Sequence, residues 1–320
     1  MNRQLYIFIF LITSALAIGQ PVPNVDENIP FLMTFGPWAE TSWGDDDFSQ
    51  AFFFQIPEEY NQPFFIRVFD PDTGGAIDEI AGEFNTRQVF EVYGGEGVWT
   101  DPDARETSPN GNYKSGTLLA SRAFAENPRY DNGWYTFGPF NPAQGEWVDE
   151  FKSRIFKIIC EGISGDDGNM YRYYLSTEAD ENRPIEGANA FAYEYSFRMH
   201  NNYEEVAHIY PYVEEGTTKV KISNFDWDND GSIVVISVVR QGRDVMISGE
   251  DHWSNDELRV QDEEIGTSFD FRFVKARPLV KNNNVVVNVR NQRDETMPFY
   301  TIPIGGVPKY RGEVEFVPID

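Results

Sequence analysis

Between residues 50 and 305 the chain is cut into short runs rich in aromatic and β-branched residues, with clusters of Gly, Pro, Asn and Asp between them. In the first half these runs are "QAFFFQIP" (50–57), "PFFIRVFD" (63–70), "RQVFEVYG" (87–94), "GTLLASRAF" (116–124), "GWYTFGPF" (133–140), "RIFKIICEG" (154–162) and "MYRYYLST" (170–177). The second half repeats the style at 190–199, 205–213, 218–225, 232–240, 244–249, 268–276, 284–291 and 298–305. Short runs of this composition, bounded by turn formers, are strands. No long amphipathic helix is evident, so the chain is read as all-β.

The polar stretch "TEADENRPIEGAN" (177–189) lies between the two sets of strands. It is read as a linker over 178–189, with a first domain over 20–177 and a second over 190–320. Sliding the chain by 143 residues sets Phe54 on Phe197, Ile56 on Met199, Tyr60 on Tyr203 and Ile66 on Ile209. Sliding by 127 sets Asp167 on Asp294 and Met170 on Met297. Such self-similarity favours two tandem antiparallel β-sandwich domains, jelly-roll-like in strand number.

Residues 1–19 carry one positive side chain, Arg3, then a short apolar stretch from Leu5 to Leu16 and the small residues Ala17 and Gly19. This is the pattern of a signal peptide. No second apolar run approaches spanning length, so no integral membrane segment is expected after cleavage. The reading is an exported protein of the periplasm, the outer cell surface or the medium. Its one cysteine, Cys160, sits in an apolar strand and is read as a small buried hydrophobe, so no internal disulfide supports the fold.

Formal net charge is −26, from 52 acidic and 26 basic side chains. That field repels nucleic acid and anionic membrane. The acids gather in turns. "WGDDDF" holds Asp46 and Asp47, "FDPDTGGAIDE" holds Asp70 and Asp72, and "GDDGN" holds Asp166 and Asp167. Calcium takes six to eight oxygens, and loops converging at one end of a sandwich can supply them. Alternate residues such as Asp70 and Asp72 can both turn inward on an extended loop. The alternative is that Asp and Gly are simply what turns are made of.

"NFDWDNDG" adds Asp226, Asp228 and Asp230, the opening of a calcium loop. An EF-hand needs a bidentate acid at the twelfth position, which is Ser237 here, inside an apolar run. The stretch is therefore read as a shorter calcium site on those three aspartates, with a solvated acidic turn as the alternative.

Catalytic patterns are weak. His200, His208 and His252 show no zinc spacing, and "GISGD" lacks the last glycine of a nucleophile elbow. The chain is read as non-enzymatic. Among its tryptophans, Trp99, inside the long polar stretch 95–115, is the best candidate for a surface role. That stretch is too long for an ordinary connection and is read as functional, metal-held or mobile.

The span from "DDDFSQAFFFQIP" through "FFIRVFDPDTGG" to "FKIICEGISGDDGNMYRYYLS" resembles the prepeptidase C-terminal type of secreted β-sandwich, with Asp166, Asp167, Asn169 and Tyr174 at the matching closing turn and strand. Several such modules bind calcium and serve as accessory binding modules. The phrases "SWGDDDF", "RVFDPDTGG", "GISGDDGN", "NFDWDNDG" and "IPIGGVPKY" give the whole chain a resemblance to the N-terminal region of bacterial envelope proteins that carry an OmpA-like domain. The resemblances imply a calcium-stabilised, non-catalytic binding or structural protein of the envelope or exterior, with a protein or glycan partner. A carbohydrate-binding module is the second reading and a glycoside hydrolase or other hydrolase the third.

Overall fold

A computed structural model describes residues 21–40, 48–106, 113–249, 252–276 and 283–305. The signal-peptide reading and the predicted ligands Asp46 and Asp47 lie outside the described residues. Twenty strands run through the rest. The first ten are β1 (Pro21–Val22), β2 (Phe31–Phe35), β3 (Ser49–Pro57), β4 (Phe64–Phe69), β5 (Arg87–Gly94), β6 (Thr117–Phe124), β7 (Trp134–Phe140), β8 (Glu146–Val148), β9 (Ser153–Ser164) and β10 (Gly168–Ser176). The others are β11 (Asn189–Ala192), β12 (Glu194–Arg198), β13 (Val206–Ile209), β14 (Lys219–Phe225), β15 (Gly231–Ile236), β16 (Arg243–Val245), β17 (Ser254–Arg259), β18 (Asp270–Lys275), β19 (Asn284–Asn291) and β20 (Phe299–Tyr300). Two three-residue 3-10 turns, at Pro142–Gln144 and Asp262–Glu264, are the helical elements among the described residues. None of these is long and apolar enough to cross a membrane. The all-β expectation holds.

The strands form three antiparallel sheets. A nine-stranded sheet has the order β17-β14-β19-β12-β2-β10-β4-β7, with β1 also on β10. A seven-stranded sheet runs β20-β11-β3-β9-β5-β6, with β8 beside β9. A four-stranded sheet runs β13-β18-β15-β16.

The period-two alternation of β3 explains the layering. Phe52, Phe54 and Ile56 point into the core between the seven- and nine-stranded sheets, where Phe52 meets Tyr173 and Tyr195 at ring-centroid distances of 5.8 and 5.3 Å. Ala51 and Phe53 point the other way, into a second core. The four-stranded sheet covers the far part of the nine-stranded one, with Phe273 of β18 against Phe197 of β12 at 5.4 Å. Full burial of a large apolar side chain stabilises by about 1.5–3 kcal/mol, so these layers carry most of the folding free energy.

The boundary expected at 178–189 does not divide the sheets. β2 pairs with β12 through Leu32 and Phe197, and β3 pairs with β11 through Phe53 and Phe191. Two sandwiches are present, but they share the nine-stranded sheet. The physical reason is edge protection: unpaired, the apolar strands β2 and β3 would each offer an open edge to other chains. A buried acid reinforces the junction. Glu27 is fully buried, accepts the Tyr195 hydroxyl at 3.0 Å and the Asn24 N–H at 2.5 Å, and its carbonyl accepts the His208 N–H at 2.7 Å.

Trp99 is not a surface residue. It is 8% exposed, donates its indole N–H to the Tyr193 hydroxyl at 2.8 Å and packs edge-on against Phe151. The described part of the 95–115 stretch closes the second core beneath it, beside Phe53, Phe191 and Tyr300. A carboxylate holds it there. Glu146 accepts the N–H groups of Gly97, Trp99 and Thr100 at 2.9, 2.7 and 3.1 Å, and the Thr100 hydroxyl as well.

Candidate metal centre

β4 and β7 are neighbours, with Phe69 opposite Trp134. The segment leaving β4 and the segment entering β7 therefore emerge side by side. Asp70 follows β4 directly and adopts φ 52°, a left-handed conformation that Asp tolerates better than most residues. Its N–H donates to the Gly133 carbonyl at 2.8 Å, which locks the two segments together.

Asp70 and Asp72 are each fixed by one oxygen. Asp70 Oδ2 accepts the Asn132 N–H at 3.1 Å, and Asp72 Oδ2 accepts the Asn127 N–H at 2.7 Å. Asp78 accepts the Gly74 and Met170 N–H groups, both at 2.8 Å, and so pins the loop that joins them. The other oxygens face inward. Oδ1 of Asp70, Oδ1 of Asp72 and Oδ1 of Asp131 are buried and have no hydrogen-bond partner. Thr73 Oγ1 is in the same condition. Asp70 is 1% exposed and Asp72 is fully buried.

These three carboxylates each offer an oxygen, and the oxygens all lie within 4.8 Å of one another. Oxygens bound to one calcium ion at about 2.4 Å are at most about 4.8 Å apart, so the spacing fits a shared cation. Gly75 permits the approach: it has φ +75°, and a Cβ there would meet Asp131 Cγ at 3.0 Å. Electrostatics point the same way. Burial pushes Asp70 up to about 7, helped by the neighbouring Asp72 and Asp131 charges and opposed by the Asn132 N–H. Burial likewise pushes Asp72 up to about 6, with Asp131 and Glu126 adding to it and the Asn127 N–H opposing. The cluster wants either protons or a cation. An all-oxygen ligand set favours a hard ion such as calcium over zinc or copper.

The other predicted ligands stand elsewhere. The 165–169 turn does reach this end of the sandwich, joined by a bridge between Glu79 and Gly168. Asp167, however, is spent on the backbone: its carboxylate accepts the N–H groups of Ala81, Asn85 and Thr86 at 2.8, 2.7 and 3.0 Å. Asp166 is half-buried, with its N–H on Asn85 Oδ1 at 3.1 Å, and is not one of the three acids at ligand spacing.

Asp226, Asp228 and Asp230 form the turn from β14 to β15, from the nine-stranded sheet into the four-stranded one. They too are absent from the cluster found among the described residues. Their residue types have a conformational reason: Asp226, Asp228 and Asn229 adopt φ of 63°, 44° and 61°. Trp227 between them is fully buried, its ring 6.0 Å from that of Phe273. Gly231 ends the turn because a Cβ there would come within 2.1 Å of the Val274 carbonyl oxygen. Burial raises Asp230, and the nearby Lys275 ammonium opposes the rise.

Sequence reasoning missed Asp131, a single acid in "NPRYDNG". Only the pairing of β4 with β7, which are not consecutive strands, brings it to Asp70 and Asp72. No protein-family model matches the chain, and no curated protein is found to be similar to it.

Proposed function

We propose that the protein is an exported, non-catalytic binding or structural protein of the bacterial cell envelope or exterior, and that calcium held by Asp70, Asp72 and Asp131 cross-links one end of its first sandwich. The observation that carries this reading is a set of three carboxylates that bring oxygens within 4.8 Å of one another, each with one buried oxygen that has no hydrogen-bond donor. Leaving a buried acceptor unpaired costs about 1–3 kcal/mol, more when it is charged, and a cation shared among three of them removes that cost. It would also tie the segment after β4 to the segment before β7 in a chain without a disulfide. Export rests on the N-terminal sequence. The likeness to calcium-binding prepeptidase C-terminal modules points in the same direction.

Thermal melting with calcium and with EDTA tests the proposal. A cation at 100 times its dissociation constant stabilises by about 2.7 kcal/mol, which for a chain of this size corresponds to a midpoint several degrees higher with calcium. An unchanged midpoint overturns it.

A further inference from the structure

A second site lies at the turn that joins β3 to β4, at the opposite end of β4 from Asp70. There β3, β9 and β8 lie side by side. Arg154 of β9 stands opposite Ile56 of β3 and opposite Trp147 of β8. Beyond β3 the chain turns back, with the Tyr60 N–H on the Pro57 carbonyl at 3.0 Å. Pro57, Glu58, Tyr60, Trp147 and Arg154 together line a recess of about 380 Å³. That volume falls in the range of small-ligand sites, about 300–1,000 Å³.

The chemistry of the lining is specific. Trp147 is half-buried, and its indole N–H is held by Asp149 Oδ1 at 3.2 Å. The Tyr60 hydroxyl donates to the Pro63 carbonyl at 3.0 Å, which fixes the second aromatic ring. The Arg154 guanidinium carbon lies 5.7 Å from the centroid of the Trp147 ring. One of its nitrogens reaches the Gly145 carbonyl at 3.3 Å. Among the described residues it forms no ion pair, although the chain has twice as many acids as bases. A guanidinium offers five donors in a planar fork suited to a carboxylate. With one nitrogen on the Gly145 carbonyl and the others free of any acid among the described residues, the Arg154 fork beside a fixed indole can take a carboxylate brought from outside.

We infer that this recess binds an acidic saccharide, a hexuronate unit of a glycan. The sugar's C–H face would lie on Trp147, with Tyr60 at its side. Its carboxylate would take the Arg154 fork, and the exposed Glu58 carboxylate would accept from ring hydroxyls. The hydroxyls of a sugar give the Glu58 carboxylate a partner, which a phosphate group would not. This site shares no residue with the cation cluster and stands or falls separately from it.

Calorimetric titration with trigalacturonate, in EDTA so that no calcium can bridge the glycan, tests the inference. Binding is expected in EDTA, with cellotriose at least tenfold weaker. Arg154→Gln should lower trigalacturonate affinity at least tenfold, Arg154→Lys less, and Trp147→Ala at least fivefold, with melting midpoints recorded for each to establish that it is folded. Asp244→Asn, at an exposed position in neither site, should leave this binding unchanged. No heat of binding in EDTA, equal affinity for the neutral trisaccharide, or an unaltered isotherm for folded Arg154→Gln overturns it. If Trp147→Ala does not fold, Arg154→Gln and Arg154→Lys decide the matter.

Discussion

Tyr195 donates its hydroxyl hydrogen to Glu27 at 3.0 Å inside a core from which both side chains are fully excluded from solvent. Burial dominates the acid's behaviour and lifts it from 4.5 to about 8, against the opposing pull of the Asn24 N–H and the Tyr195 hydroxyl. The folded protein therefore keeps a proton that the unfolded chain gives up above pH 4.5. The stability contributed by protonated Glu27 is complete below pH 4.5 and is lost as the pH rises towards 8. Glu27→Gln, which cannot ionise, should melt close to the parent at pH 5 and above it at pH 8.5. The difference should be on the order of a few kcal/mol, read from denaturant titrations at both pH values.

Cation binding should run the other way with pH. Asp70 and Asp72, raised to about 7 and about 6, must release their protons to ligate. Calcium affinity is expected to fall as the pH drops from 8 to 5, approaching tenfold per unit for each proton displaced, in isothermal titrations. At pH 7.5, Asp72→Asn should weaken binding at least tenfold. Asp228→Ala, in a turn outside the cluster, should leave the isotherm unchanged.

Asp167 provides the contrast between a ligand and a brace. Its oxygens already serve three backbone N–H groups. Asp167→Ala leaves those donors unpaired and should destabilise by about 1–3 kcal/mol in denaturant melts, with EDTA as well as with calcium. A loss seen only with calcium would make it a ligand instead.

Most strands were legible in the sequence because aromatic and β-branched residues alternate inside clear turn boundaries. Four were not. β1 and β8 are two and three residues long, β2 ("FLMTF") is a short run between Pro30 and Gly36, and β17 ("SNDELR") is a polar edge strand whose buried residues are Ser254 and Leu258. Of the site, Asp70 and Asp72 could be read because one loop carries both. Asp131 could not, since strand pairing rather than chain proximity places it. The DxDxDG pattern is ambiguous for a physical reason: left-handed turns select the same residues as calcium loops do.

Glu146 holds the 95–106 segment in place by accepting three of its backbone N–H groups. Glu146→Ala should release the amides of Gly97, Trp99 and Thr100. Hydrogen exchange at those three positions is expected to quicken by at least tenfold, with a stability loss of about 1–3 kcal/mol.

The lacing of β12 onto β2 and of β11 onto β3 has a consequence for biosynthesis. β2 and β3 wait for neighbours made much later in the chain, and β11 waits in turn for β20, later still. Such long-range closures are slow. Neither sheet can close until these late strands have been made.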